Sequence, residues 1–130
     1  MLENKNKIPA TLFEATENVD RGVIYVQEVI TLNGNELIEH LRNLQANATL
    51  NLCKIFINSY PEILTTSRPQ TGKASYYTKR IPKDRQIDPD KNILEQSNIL
   101  RIVDNKNYPA FFKLGDDVFQ LHLSRRCSEE

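Results

Sequence analysis

The sequence predicts an α/β chain: two strands and a long helix, then a polar linker, then a small region of one short helix and a β-hairpin. Three observations carry this prediction. Leu37, Leu41, Leu44, Ala48, Leu52 and Ile55 recur at spacings of 4, 3, 4, 4 and 3, the period of one helical face. Two short runs rich in β-branched and aromatic residues, 8–14 and 23–30, precede that helix. Residues 118–123 alternate apolar with polar behind a Gly-Asp-Asp turn, which is a hairpin pattern.

In order along the chain, the first strand is expected over 8–14, where Pro9 restricts it to an edge or entry position because it has no backbone N–H. Asn18-Val19-Asp20-Arg21-Gly22 supplies turn chemistry, since Asn and Asp bond nearby backbone and Gly tolerates positive φ. The second strand, 23–30, is apolar at Val23, Ile24, Tyr25, Val26, Val29 and Ile30, on both faces, and so predicts cover on both sides. Two strands and one helix cannot provide that cover, so the pattern implies further sheet from elsewhere.

Asn33 reads as the N-cap of the long helix, with Glu36 completing a capping box. Pro61 ends the helix by biasing Tyr60 away from helical angles. Over about 22 residues the helix would span about 33 Å. From 65 to 91 the composition turns to Ser, Thr, Pro, Gly and charged residues, an ordered linker in which Ala74-Ser75-Tyr76-Tyr77 forms a short strand and both tyrosines are buried. A helix of about three turns follows over 92–103, stopped by Asp104-Asn105-Lys106-Asn107, and the hairpin over 110–123 leads to a frayed tail. The domain reading is 1–64, the linker 65–91, and 92–130.

Composition excludes several function classes. Seventeen Lys and Arg balance seventeen Asp and Glu, so no global field favours nucleic acid or an anionic membrane. No run approaches the ~18 apolar residues of a membrane span, and residues 1–7 are polar, which together predict a cytoplasmic protein. Cys53 and Cys127 have no CxxC or paired spacing, and read as a buried small apolar residue and an incidental tail thiol. His40 and His122 lie far apart, so no metal site is expected.

Three stretches can carry chemistry. Asp20 in its D-x-G loop reads first as plain turn chemistry, and second as a half-buried carboxylate at the end of buried strands, able to orient a proton relay. Residues 75–84 combine aromatics with Lys79 and Arg80, either a solvated surface strand or a phosphate- or base-binding face. Residues 101–112 place polar groups directly before rigid aromatics, either a helix stop before a core strand or a ligand edge.

Taken together, these stretches resemble the formyltransferase family that uses 10-formyltetrahydrofolate, which includes methionyl-tRNA formyltransferases and the enzymes that N-formylate nucleotide-linked amino sugars. The resemblance rests on 11–27, with its strand, D-x-G loop and strand; on the Gln70 to Asp84 linker; and on 98–105 leading into Tyr108-Pro109-Ala110-Phe111-Phe112. It implies the carboxy-terminal part of a Rossmann-like formyltransferase domain, with Asp20 at the catalytic aspartate and 10-formyltetrahydrofolate as formyl donor. Thr16, Glu17, Asn18, Val19 and Gly22 would line the pterin side, and Lys79, Arg80, Asn105, Tyr108 and Phe112 would face the acceptor. The short region after the linker is closer to the amino-sugar branch; the tRNA branch carries a longer, basic domain.

No residue before Ile8 matches the family's active-site asparagine and histidine. The resemblance therefore implies a chain inactive alone, whose partners are a nucleotide-linked amino sugar and a chain supplying the amino-terminal half, with no nucleic acid or membrane. A homo-oligomer is compatible with it. The competing expectations are a methionyl-tRNA formyltransferase-type fragment and a non-enzymatic module that binds a partner through an exposed sheet edge.

Overall fold

The computed structural model describes residues 5–17, 22–72 and 76–126. Asn18, Val19, Asp20, Arg21, Lys73, Ala74, Ser75 and Cys127 lie outside the described residues. The chain forms two compact units, one of Asn6–Leu32 with Arg42–Tyr76, the other of Met1–Lys5, Asn33–Leu41 and Tyr77–Glu130.

The first unit is built on strands β1 (Lys7–Phe13) and β2 (Ile24–Thr31), which pair antiparallel from Lys7↔Thr31 to Phe13↔Ile24, with an irregularity between Leu12 and Phe13. Among the described residues β1 pairs only with β2. Leu32 donates to the Asn6 carbonyl at 2.7 Å. Bonds in such a ladder alternate, so Ile8, Ala10 and Leu12 bond inward to β2, while the backbone groups of Lys7, Pro9 and Thr11 point to the outer edge. Pro9, which has no N–H to donate, therefore occupies a position where β2 loses nothing.

Helix α1 (Ile38–Asn58) follows, and 21 residues give it a length of about 31 Å. Its Ala48 and Leu52 are buried, as are Ile30, Leu32 and Ile63 of the same unit. The apolar face turns at its last repeat. Ile55 is exposed, and Phe56 instead meets Tyr25 with ring centroids 5.3 Å apart. Cys53 is exposed rather than buried, because it sits one residue off the buried stripe. As expected of two strands and one helix, the described residues leave part of β2 uncovered, with Val29 54% exposed.

The second unit holds α2 (Ser97–Arg101) and the antiparallel hairpin β3 (Ala110–Leu114) and β4 (Asp117–Leu121). Gly115, at φ 59°, supplies the left-handed residue that its tight turn requires. Ile87, Leu100, Val103 and Ala110 form the core, with Ile99, Phe112, Leu121 and Leu123 packed around it. Ile87 donates to the Phe111 carbonyl at 2.7 Å, which lays the preceding segment along β3.

Three expectations are corrected here. The helix expected over 92–103 is only five residues long. Its first part is held in turns, because the buried Gln96 amide accepts from the Asp88 N–H at 2.6 Å and donates to the Asp88 and Lys91 carbonyls at 3.0 and 3.2 Å. Those bonds compete with the helical ladder, and Ile93 and Leu94 stay in solvent. Tyr76 and Tyr77 are not in a strand and are not buried, being 87% and 76% exposed. Asn33 does not cap α1, which begins five residues later. Glu36 does reach back to the Asn33 N–H at 2.5 Å, but it closes a turn ahead of the helix. Among the described residues no helix is long and apolar enough to cross a membrane.

Candidate functional site

The β1–β2 connection carries the D-x-G loop, and its two ends are built tightly. Glu14 donates to the Val23 carbonyl at 2.9 Å, closing the loop at its base. Gly22 is buried there, and a Cβ at that position would stand 1.8 Å from the Glu14 carbonyl oxygen. Only a residue without a side chain allows the returning backbone this close to the outgoing one. The sequence anticipates a glycine here for its turn angle; the structure supplies a steric reason.

The segment after α1 holds Gly22 and the start of β2. Ile24 and Arg68 exchange two backbone bonds of 2.7 and 2.9 Å, so Arg68 extends the ladder beside the first residue of β2. Gln70 donates through Nε2 to the Gly22 carbonyl at 2.9 Å. The Arg68 guanidinium donates to Gln27 Oε1 at 3.1 Å, and Gln27 Nε2 donates to Thr11 Oγ1 at 2.8 Å. A polar rail thus crosses β1, β2 and the 68–70 segment, fixing the frame at the ends of the loop. Thr16 and Glu17 are exposed on the described part of the loop. Asn18, Val19 and Asp20 lie outside the described residues.

The five residues expected to face an acceptor lie in the second unit, where their environments differ. Lys79 is exposed. Arg80 is exposed and donates to the Asp84 carbonyl at 3.4 Å, beside a short 3₁₀ turn, Pro82–Arg85, in which the Asp84 carboxylate accepts the Ile81 N–H at 2.7 Å. Tyr108 is exposed, with the Arg85 guanidinium 5.3 Å over its ring. Phe112 stacks on Phe119 at 5.3 Å and packs on the core. Asn105 uses both ends of its amide on one backbone position, donating to the Leu123 carbonyl at 2.6 Å and accepting the Leu123 N–H at 2.9 Å.

An ion pair that sequence reasoning missed also lies in this unit. Arg101 and Glu36 meet at 2.8 Å with side chains 7% and 4% exposed. Burial would push the Glu36 carboxyl up, but the Asn33 and Gly34 N–H groups and the Arg101 guanidinium outweigh it and hold the group below its ordinary range. Arg101 further donates to Asn98 Oδ1 at 3.2 Å. The pair joins residues 65 apart, and nothing in local spacing announces it.

No protein-family model matches the chain. The chain is similar to the methionyl-tRNA formyltransferase of Pseudothermotoga lettingae, 29% identical over 118 residues that cover 90% of this chain and 39% of the relative. Its fold matches the methionyl-tRNA formyltransferase structure from Clostridium thermocellum with a TM-score of 0.57 and 20% identity, over 91% of this chain and 56% of the other. The formyltransferase resemblance thus holds in sequence and in a mixed α/β fold, and the chain spans 39% of the curated relative's length.

Proposed function

We propose that this chain is the carboxy-terminal part of an N-formyltransferase that moves the formyl group of 10-formyltetrahydrofolate onto an amine. The observation that carries the reading is the D-x-G loop, closed at Gly22 and clamped by Gln70, within a chain that aligns over nine-tenths of its length with a formyltransferase. A loop whose two ends are held by backbone packing is suited to presenting a carboxylate at a set position.

In this reading Asp20 orients and stabilises a protonated histidine and helps pass the amine's proton, while Thr16 to Val19 wall the pterin side and Gly22 keeps the loop narrow. The donors for the tetrahedral oxyanion come from the remaining length that the relatives have, in the same polypeptide or a separate one. Residues 1–64 belong to the catalytic domain, 65–91 to the linker and 92–130 to the small carboxy-terminal region. Lys79, Arg80 and Tyr108 offer exposed cations and an aromatic face to the acceptor.

The acceptor is the amine of a nucleotide-linked amino sugar. A formal charge of zero supports this, because a tRNA-binding surface needs several cations matched to phosphates. The second reading, methionyl-tRNA as acceptor, is favoured by what both similar proteins are named. The test is formyl transfer by this chain combined with the amino-terminal part of the Pseudothermotoga enzyme, offered a panel of nucleotide-linked amino sugars and methionyl-tRNA. Transfer to a sugar amine supports the first reading. Transfer to methionyl-tRNA alone replaces it with the second.

A further inference from the structure

The hairpin of the second unit has one edge that the fold covers and one that it leaves open. β3 lies between β4 and the 86–87 segment, because the Phe111 carbonyl accepts the Ile87 N–H on the side away from β4. Among the described residues β4 pairs only with β3. The hairpin closes on Leu114↔Asp117 across a two-residue turn, and bonds in such a ladder alternate, so Asp117, Phe119 and Leu121 bond inward to β3. Asn105 continues that alternation, since its amide takes both the N–H and the carbonyl of Leu123. The backbone groups of Val118, Gln120 and His122 therefore point to the outer edge.

An open edge of this kind is a template for another strand. The charges at its two ends say which strand fits. Asp116 and Asp117 lead into β4, Arg125 and Arg126 follow it, and no carboxylate, lysine or arginine lies between them. All four side chains are exposed, as are Val118 and Phe119.

We propose that the outer edge of β4 pairs antiparallel with the same edge of a second copy of this chain, about a two-fold axis at Leu121. In that register Asp117 lies opposite Arg125 of the second copy and Asp116 opposite its Arg126, and the axis makes each match twice. Gln120 faces His122 of the second copy as a bonded pair, so the outward N–H and carbonyl groups find partners. Phe119 meets Leu123 of the second copy, which extends the apolar surface that Leu121 and Leu123 build on the core. Moving the axis so that Gln120 or His122 lies on it sets Asp117 against Leu123 or position 127, and both charge matches are lost. Parallel pairing would set carboxylate beside carboxylate. A strand of another protein would need the same charges in the same order at the same spacing, which a second copy supplies by symmetry. Each copy uses its open edge in the contact, so the assembly closes as a dimer.

The inference goes beyond the formyltransferase reading, and its test involves neither formyl donor nor acceptor. The full chain is followed by sedimentation equilibrium from micromolar to millimolar concentration, at low and high salt. The expected result is a monomer–dimer equilibrium that weakens as salt rises. Asp117→Arg sets cation against cation twice per dimer and is expected to weaken association about tenfold, as is Arg125→Asp, which opposes carboxylates. Asp117→Arg combined with Arg125→Asp restores the match with its signs exchanged, and is expected to return association to within about threefold of the wild type. Gln120→Pro removes an outward donor that β3 does not use, and is expected to abolish the dimer with an unchanged circular dichroism spectrum. A monomer throughout, larger assemblies without a dimer, association indifferent to Gln120→Pro, or a combined variant as weak as either single one would overturn the proposal.

Discussion

The loop between β1 and β2 and the polar stretch from Arg101 to Tyr108 are equally dense in functional-looking residues, yet the fold treats them in opposite ways. Around the ends of the loop, polar groups from distant segments, Gln27, Arg68 and Gln70, build a frame that holds β1, β2 and Gly22. In the 101–108 stretch the polar groups are engaged in holding their own unit together: Arg101 with Glu36, Asn105 with Leu123, and Asp104 accepting the Lys106 and Asn107 N–H groups. Density of polar residues therefore does not by itself say which backbone those residues hold. What differs is the backbone held: the two ends of a loop in one case, the segments of the second unit's own core in the other.

The largest expected effect lies in the second unit. Arg101→Met leaves the Glu36 carboxylate buried without its cation and is expected to cost about 4 kcal/mol in urea denaturation. A loss below about 1 kcal/mol would mean that the pair is not structural. Next is Gly22→Ala, where a methyl group must displace backbone. A cost of about 3 kcal/mol is expected, together with disturbance of the loop amides by NMR. Gln70→Leu leaves the Gly22 carbonyl without its side-chain donor and should cost about 1 kcal/mol, while faster hydrogen exchange at the loop base separates it from a change elsewhere. The smallest effect is expected for Lys79→Ala, whose side chain is exposed, within about 0.5 kcal/mol.

The same contrast has a pH dependence. Glu36 is held below its ordinary value of 4.5 in the folded chain. Its contribution to stability is therefore fully present above about pH 4.5 and is lost as pH falls through the depressed folded value. Stability measured from pH 6 downward is expected to fall in the wild type below that point, and Glu36→Gln should flatten this part of the profile. An unchanged profile would remove Glu36 from the acid sensitivity of the fold.

Periodicity made α1 and the β3–β4 hairpin legible, because an apolar stripe and an alternating strand announce themselves locally. The expected helix over 92–103 failed because Gln96 is an ordinary helix residue whose amide was captured by Asp88 and Lys91, eight and five residues back. The tyrosines at 76 and 77 misled by type, since their burial depends on neighbours that spacing does not reveal. For the candidate site, the D-x-G motif is readable in the sequence, but the bonds that hold the ends of its loop are not. Arg68 and Gln70 act across more than 40 residues of sequence, and only the fold brings them to Ile24, Gln27 and Gly22. The Glu36–Arg101 pair was hidden for the same reason, with Glu36 resembling a capping residue and Arg101 a ligand-reading one.

The central claim is that this chain carries one half of a formyl-transfer site, centred on Asp20. The most direct test is transfer from 10-formyltetrahydrofolate by the chain alone and by the chain mixed with the amino-terminal part of a formyltransferase, each with and without Asp20→Ala. The account predicts transfer only in the mixture, abolished by the substitution. Turnover by the chain alone, or a mixture indifferent to Asp20→Ala, would contradict it.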